Sequence, residues 1–453
     1  MSCPTDNVVH VRKDLDILRD RRFGLLFAAR TASVLGSAFG PVALAFGVLA
    51  LPGATATTLS IVTAAEALAM VGFMLLGGVI ADRLPRFRVM VVADLGAAAA
   101  WGGLAAMLIT GWAPMWLLVS ASALAGMATA LFFPASTGVI PEVVPEAKLQ
   151  AANGLLRLGM NFARIGGFAV AGGAVAVLGA GWAMALNAGL LVVSAALIAG
   201  LRLPVTNVAR PAGPGPGNML RDLREGWREF RSRQWLWVVV LQYSFVMMMF
   251  QAVWSVLGPV VANDRLGGAK GWSWVLAAES VGMLIGVAFA IRAKPKRPIR
   301  LVVLLTFPIA SLPLALGLGA PLLVAVGASF VGGVALDILV VMWDTTMQRE
   351  IPQESLSRVS SYDALGTLML GPLGLLLAGP SVGLIGAGNA LLISAGVTAL
   401  ASAAALCSPG VRNLTWSAAQ PKSDLVSGRP AELARTMVEL DRSQRPNPVM
   451  LDV

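Results

Sequence analysis

Charged residues are scarce in this chain, and this scarcity argues against an ordinary water-soluble protein. Only 13% of the 453 residues are Asp, Glu, Lys or Arg, whereas 57% are hydrophobic. A soluble domain has about a quarter of its residues charged, because its surface must face water. The mean hydropathy of +0.76 points the same way. Most of the chain is therefore expected to lie in a lipid bilayer.

Cysteine and histidine are almost absent, and so are the motifs of common enzymes. The two cysteines, Cys3 and Cys407, form neither a disulfide framework nor a metal-binding spacing. The single histidine, His10, lies in the polar N-terminal segment, so no intramembrane histidine is available to carry protons. The sequence has no phosphate-binding loop, zinc-ligand spacing or haem-ligand set. We therefore expect neither an enzyme nor a bound cofactor.

The hydrophobic residues fall into twelve blocks of a length that suits a membrane-spanning helix. The blocks run at approximately 24–51, 57–81, 89–111, 113–139, 150–178, 181–203, 236–262, 271–292, 299–317, 319–346, 357–383 and 386–408. Apolar blocks of this length must satisfy their backbone hydrogen bonds internally, which requires helices. The sequence therefore predicts an all-α membrane protein with twelve transmembrane helices.

Lys and Arg residues, which give the chain a net charge of +10, are concentrated on one side of the predicted membrane. They occur in the N-terminal segment, in the central stretch and in the loops after helices 2 and 8, whereas the opposite loops hold almost none. Basic loops stay in the cytoplasm, so both termini are predicted to be cytoplasmic. We expect the inner membrane of a bacterium, and no nucleic-acid partner.

The two halves of the chain repeat. Shifting the first half by 207 residues places Pro145 on Pro352 and Gly172 on Gly379, and the register holds without gaps over 145–181. Parallel halves of six helices each are an arrangement in which one half rocks against the other around a central site. The repeat therefore predicts two pseudo-symmetric six-helix bundles that work by alternating access.

These features divide the chain into five segments. A spacer rich in Pro and Gly precedes a stretch in which Leu220, Leu223, Trp227 and Phe230 recur at helical spacing, which predicts an amphipathic helix on the membrane surface. The segments are a cytoplasmic N-terminal segment (1–22), an N-terminal bundle (23–204), a cytoplasmic linker (205–235), a C-terminal bundle (236–408) and a disordered cytoplasmic tail (409–453).

The loop between the second and third predicted helices contains a recognisable motif. Its Gly78, Asp82, Arg83 and Arg86 resemble the Gly-x-x-x-Asp-Arg-x-x-Arg signature of the major facilitator superfamily. In such a motif the glycine lets two helices approach, and the aspartate accepts hydrogen bonds from a neighbouring helix end. The arginines hold the loop and the lipid phosphates. The resemblance implies a twelve-helix transporter fold.

A narrower resemblance comes from the segments Phe133-Pro134-Ala135-Ser136 and Ile140-Pro141-Glu142-Val143-Val144-Pro145-Glu146. They are similar to the branch that contains bacterial enterobactin exporters and macrolide-efflux pumps, which implies proton-linked export. One position departs from the antiporter pattern. Gly167 in the fifth helix is followed by Phe168, whereas antiporters usually have Gly-Pro there.

Ionisable residues inside the predicted helices form two groups by depth, and each needs a reason to be there because a charge in lipid costs several kcal/mol. Arg30, Asp94, Arg157, Asp344 and Asp363 lie within roughly 12 Å of the cytoplasmic side, at about 1.5 Å per residue. We expect these five residues, with the loop motif, to form ion pairs that lock the cytoplasmic gate when the protein faces outward.

Four other ionisable residues lie nearer the middle of the membrane: Glu66, Arg164, Glu279 and Asp337. Glu66 and Glu279 follow the same Ala-Ala pair on equivalent helices of the two halves. An arginine favours the ionised form of a nearby carboxylate, so a movement that separates the two changes proton occupancy. We predict Glu66 as the primary proton- or cation-binding acid, before Asp337, Arg164 and Glu279. A permanent Glu–Arg pair that only holds helices together is the alternative.

Amide and aromatic side chains on the fifth and seventh helices are candidates for the substrate cavity. Gln242, Gln251 and Trp254 lie on the Met-rich seventh helix, and Asn161 lies one turn before Arg164 on the fifth. Met-rich surfaces repack around ligands of different shapes, and polar groups are costly against lipid. The alternative is that these side chains face lipid or bond to neighbouring helices.

The predicted function is secondary active transport, most simply the proton-coupled efflux of hydrophobic or amphipathic molecules such as drugs or siderophores. Two alternatives remain: a proton-coupled importer of a small polar nutrient, and a non-transporting membrane scaffold or sensor. The expected partners are a small-molecule substrate and the lipid bilayer, and the protein is expected to be monomeric. The proton gradient, rather than a cofactor, is the expected energy source.

Overall fold

The computed structural model describes residues 17, 20–145, 148–201, 224, 227–293 and 295–415 of the chain. Within these residues twelve helices are long and apolar enough to cross a membrane. We name them α1 (Arg21–Leu49), α2 (Ala56–Met74), α3 (Arg86–Thr110), α4 (Met115–Ser136), α5 (Ala151–Leu178), α6 (Ala180–Ala199), α7 (Gln234–Arg265), α8 (Gly268–Arg292), α9 (Pro298–Gly317), α10 (Leu322–Glu350), α11 (Tyr362–Ile385) and α12 (Ala387–Cys407). The predicted all-α fold with twelve spans is confirmed.

Several helices extend beyond the spans or are locally irregular. The helix of α2 continues to Arg83, and α11 is preceded by a helical stretch that begins at Gln353. A short helix, Ile140–Val143, follows α4, and another, Pro409–Asn413, follows α12. The hydrogen bonding of α7 changes to a π-helix over Val253–Leu257. Such π-bulges are rare and occur frequently at functional sites.

The predicted linker and termini lie mostly outside the described residues, which exclude 1–16, 202–223 and 416–453. Of the predicted amphipathic segment, residues 227–232 are helical. Trp227 packs against Tyr362 of α11, with ring centroids 5.5 Å apart, and Phe230 is buried. Arg233 then donates a hydrogen bond to the carbonyl of Glu350, which ties the start of α7 to the end of α10.

In each half, a glycine of one helix packs closely against the backbone of a glutamate in a neighbouring helix. A Cβ added to Gly126 of α4 would collide with the backbone oxygen of Glu66 in α2. A Cβ added to Gly333 of α10 would collide in the same way with the backbone oxygen of Glu279 in α8. Gly126 and Gly333 are separated by the 207 residues of the repeat. Small residues let membrane helices approach closely, so the repeat places the two glutamates in equivalent positions.

The two halves meet tightly at the end of the bundle that holds the α1–α2 and α11–α12 loops, which we call the far end. There a Cβ on Gly172 of α5 would be 2.5 Å from the carbonyl of Ala269 in α8. At the equivalent position a Cβ on Gly379 of α11 would be 2.7 Å from the carbonyl of Ala56 in α2. Glycine is thus required for these two helix pairs to close.

The buried apolar side chains show the same asymmetry between the ends. Toward the far end one cluster joins both halves and includes Val42, Leu59, Val256 and Leu276. Toward the end that holds Arg21 and Cys407, the described clusters belong to one half or the other. The protein is therefore closed at the far end in this structure.

Candidate functional site

A cavity of about 300 Å³ lies between the two halves. Its walls come from α1, α2, α3, α4, α7 and α11, and consist of Ser37, Pro41, Leu44, Thr63, Glu66, Ala67, Met70, Trp101, Thr129, Gln251, Trp254, Ser255 and Leu375. A cavity at the interface of the two bundles is where alternating-access transporters bind substrate. We call it the central cavity.

Glu66 is the acidic residue of the central cavity. Its side chain is partly exposed, and none of the described residues forms a hydrogen bond or ion pair with its carboxylate. A carboxylate in such a site is costly unless it binds a cation or a proton. The side chain is thus placed to bind one or the other.

Glu279, the counterpart of Glu66 in the second half, has different surroundings. Only 8% of it is exposed, and its Oε2 accepts a hydrogen bond of 3.1 Å from Nε1 of Trp254. It lines a separate space of about 30 Å³, together with Phe250, Leu312 and other residues of α7, α9, α10 and α12. Trp254 also lines this space, so it borders both the space and the central cavity.

Arg164 faces the acids of the second half rather than Glu66. Its Nη2 donates a hydrogen bond of 3.3 Å to Oδ1 of Asn161, and the guanidinium interacts electrostatically with Glu279 and Asp337. Asp337 lies near the midpoint of α10. The structure therefore brings three of the four predicted mid-membrane ionisable residues together at the α5–α8–α10 contact, and leaves Glu66 apart.

The four predicted cavity residues separate into two pairs. Gln251 and Trp254 line the central cavity, whereas Asn161 is engaged by Arg164. Gln242 is buried in a network that joins three helices, because its Nε2 donates to Oγ1 of Thr306 in α9 and to Oγ of Ser402 in α12. Gln242 therefore bonds to neighbouring helices, which was the alternative to a place in the substrate cavity.

We expect Gln242→Leu to leave transport unchanged and the unfolding free energy within about 1 kcal/mol of wild type. The Oε1 of Gln242 has no hydrogen-bond partner among the described residues, and Thr306 and Ser402 remain bonded to each other at 2.6 Å. Thermal unfolding in detergent and a transport assay measure the two effects. Gln251→Leu on the same helix is the matched comparison and should reduce transport. The reverse pattern would show that Gln242 contacts substrate.

The residues of the predicted cytoplasmic gate do not form one cluster in this structure. Asp94 is buried within the first half, where its Oδ2 accepts a 2.6 Å hydrogen bond from Oγ of Ser194 and interacts electrostatically with Arg30. Arg157 of α5 interacts electrostatically with Asp344 of α10. The first contact lies within one half and the second joins the two halves, and the predicted locking of the gate when the protein faces outward stays a prediction.

Asp363 and the loop motif complete the predicted gate. Asp363 accepts a 3.2 Å hydrogen bond from Nε1 of Trp343 and lines a second cavity of about 260 Å³ between α7, α10 and α11. Arg86 donates a hydrogen bond to the carbonyl of Gly138 and pairs with Glu142 at 3.8 Å, so it holds the end of the α4 helix. Gly78 is helical, whereas the side chains of Asp82 and Arg83 lie outside the described part of the structure.

Of the thirteen wall residues of the central cavity, the sequence reasoning found Glu66, Gln251 and Trp254, and those it missed include Trp101, Ser37 and Ser255. A signal for the two serines exists, because the identical triplets Gly40-Pro41-Val42 and Gly258-Pro259-Val260 each begin three residues after a serine. These triplets place α1 and α7 in register, and equivalent positions of the repeat then line one cavity. Trp101 has no comparable signal.

Two six-helix halves around a central cavity, closed at one end, define a membrane transporter. The chain belongs to the Major Facilitator Superfamily, whose family model matches residues 23–374. No group of three or more side chains that could bind a metal ion occurs among the residues described above. The family predicted from the loop motif and the half-repeat is confirmed.

Two relatives illustrate the similarity in sequence. Macrolide efflux protein A of Streptococcus pyogenes is 26% identical over 274 residues, which are 58% of this chain and 65% of that protein. The uncharacterized MFS-type transporter YvqJ of Bacillus subtilis is 25% identical over 184 residues, or 40% of this chain and 43% of that protein. The match thus spans just under two thirds of the macrolide efflux protein.

Two solved structures show the fold alone, since their sequence identities are low. The nucleoside transporter NupG has a TM-score of 0.66 and 13% identity, over 85% of this chain and 98% of that one. A bacterial homologue of the iron transporter ferroportin, in an inward-facing state, has a TM-score of 0.64 and 17% identity, over 85% and 98%.

Proposed function

We propose that this protein is a proton-coupled exporter of amphipathic organic cations that works by alternating access. The observation that supports it is the carboxylate of Glu66, which has no partner among the described residues and lies in the central cavity with Trp101 and Trp254. A carboxylate in this environment binds a proton when the cavity is empty and a cation when it is filled. Because the proton and the cation compete for the same carboxylate, the protein can exchange one for the other across the membrane.

The aromatic walls suit the same class of substrate. A tryptophan face attracts an organic cation within about 6 Å, with roughly 0.5–2 kcal/mol of stabilisation. The hydroxyl groups of Thr63 and Thr129 donate to backbone carbonyls of their own helices. They are therefore less available to a sugar-like or nucleoside-like ligand, which disfavours the polar-nutrient importer.

The direction of transport is inferred from the closed end and the charge pattern. The structure is closed at the far end, and the basic loops predict that the opposite end is cytoplasmic. In this state the central cavity would receive substrate from the cytoplasm of a bacterial cell. The relatives named macrolide efflux protein A support export.

Everted membrane vesicles, prepared with and without the protein, test the proposal. The lumen is acidified, a pH-sensitive dye reports luminal protons, and tetraphenylphosphonium, a macrolide or uridine is added. We expect tetraphenylphosphonium and the macrolide to release luminal protons only when the protein is present, and uridine to have no effect. Proton movement with uridine alone would support the importer. Absence of any response from inserted, folded protein would contradict transport of these classes.

A further inference from the structure

The second cavity, of about 260 Å³, has the same kind of wall as the central cavity. It combines one carboxylate, from Asp363 of α11, with the aromatic rings of Trp343 in α10 and Tyr243 in α7. The other wall residues are mostly aliphatic: Val239, Val240, Val302, Leu339, Val340, Ala364, Thr367 and Leu368. An acid among aromatic and aliphatic side chains suits a small organic cation, which needs a counter-charge and apolar contacts.

The carboxylate of Asp363 forms no ion pair with any of the described residues. Its Oδ2 accepts the 3.2 Å hydrogen bond from Nε1 of Trp343, and the charged neighbour with which it interacts electrostatically is another acid, Asp344. Asp344 in turn interacts with Arg157 of the first half. A carboxylate without a counter-ion in such a place binds a proton or a cation, and the walls of the second cavity favour the cation.

The aromatic rings of the second cavity are held close to the acid. Trp343 is fixed by its hydrogen bond to Asp363 and by the edge of Trp235 in α7, with ring centroids 5.8 Å apart. Tyr243 interacts electrostatically with both Asp363 and Asp344. Aromatic faces attract quaternary ammonium ions, and the attraction is stronger where water is excluded. Such an ion has no N–H group that needs an acceptor, so it suits a wall that is mostly apolar.

One face of α7 joins the second cavity to the central cavity. Tyr243, Phe250 and Trp254 recur at helical spacing over roughly 16 Å of this helix. Tyr243 lines the second cavity and Trp254 lines the central cavity, and the ring of Phe250 between them stacks on Trp254 at 6.5 Å. An organic cation that leaves the second cavity therefore has further aromatic rings along its way to Glu66.

We propose that the second cavity is a further binding site, which takes small quaternary ammonium ions before they reach the central cavity. Asp363 supplies the counter-charge, and Trp343 and Tyr243 supply the ring faces. The site lies toward the end opposite the far end, because its walls come from the start of α7, the last third of α10 and the start of α11. The inference rests on the proposed function for the class of ligand and for the order of the two sites.

Saturation binding of radiolabelled tetraethylammonium to the purified protein counts the sites. We expect about two ions for wild type and about one for Asp363→Asn, which keeps the size of the side chain and an oxygen that can accept the Trp343 hydrogen bond. Glu66→Gln should also bind about one ion in the same concentration range, and the double variant none. Asp363→Glu is the matched control, since it keeps the carboxylate, and it should still bind about two.

Variants of Trp343 test the aromatic wall separately from the charge, in the Glu66→Gln background where the second cavity is the remaining site. Trp343→Leu should weaken binding about tenfold, and Trp343→Phe, which keeps a ring, by less than about threefold. Thermal unfolding confirms that each variant is folded.

The outcomes separate this inference from the proposed function. Two ions bound by folded Asp363→Asn, or a single wild-type ion that is lost in Glu66→Gln, would overturn the inference and leave the proposed function standing. A single wild-type ion that is lost only in Asp363→Asn would support the second site and contradict the role of Glu66. Absence of binding to folded wild-type protein would overturn the inference, and the vesicle assay with tetraphenylphosphonium tests the proposed function independently.

Discussion

Glu66→Gln should abolish proton-coupled transport of tetraphenylphosphonium and weaken its binding roughly thirtyfold, about 2 kcal/mol. The substitution keeps the size of the side chain but removes the negative charge from the wall of the central cavity. Without the charge the cavity binds the cation more weakly, through its tryptophan walls alone, and cannot exchange it for a proton. Binding to purified protein and proton release in everted vesicles measure the two effects separately.

Glu279→Gln is the matched control, because it makes the same change at the equivalent position of the other half. Glu279 lies behind Trp254, so this variant should bind the cation within about threefold of wild type. Glu66→Asp, which retracts the carboxylate by one methylene group, should retain part of the transport. Equal loss of binding in both glutamine variants would contradict the assignment of Glu66 to the substrate site.

Gly172→Leu should reduce transport at least tenfold, because a leucine on α5 prevents closure of the far end. Even a Cβ at this position would be 2.5 Å from both the Ala269 carbonyl and the Ser273 hydroxyl oxygen of α8. The two halves must therefore stay apart there, and the transport cycle cannot return to the state seen in this structure. Gly379→Leu should have the same effect at the equivalent α11–α2 contact.

The matched control is one residue away. A Cβ on Gly173 has no atom within 4 Å among its described neighbours, so Gly173→Leu should leave transport close to wild type. Opening is reported by Ser60→Cys, a fully buried position at the other interhalf contact, in a background without Cys3 and Cys407. Gly172→Leu should expose this cysteine to a membrane-impermeant maleimide. If the cysteine stays protected while transport is lost, the far-end contact is not the cause.

The number and extent of the spans followed from the sequence because each span satisfies the bilayer by itself. Length and hydropathy of a single segment decide whether it crosses the membrane. The Ala-Ala-Glu contexts of Glu66 and Glu279 similarly predicted their equivalence, which the packing of Gly126 and Gly333 bears out. These are properties of local sequence or of its repetition.

The surroundings of individual side chains were harder to predict, as Gln242 and Arg164 show. Apolar residues occur all around α7, so hydropathy does not indicate which face of the helix meets the cavity. Gln242 bonds to α9 and α12, whereas Gln251 on the same helix lines the cavity. From the sequence, Arg164 could interact with any of the acids in the middle of the membrane. Only the packing of α5 in the structure shows that it interacts electrostatically with Glu279 and Asp337.

The sequence by itself determined the membrane class, the twelve helices, the two-fold repeat and the family. Only the tertiary structure decided that Glu66 lines the central cavity while Glu279 is covered by Trp254. The reason is that crossing lipid depends on the composition of one segment, whereas the neighbours of a side chain depend on helix rotation and close approach. Those are set by glycine contacts, a π-helical segment and hydrogen bonds between residues far apart in the chain.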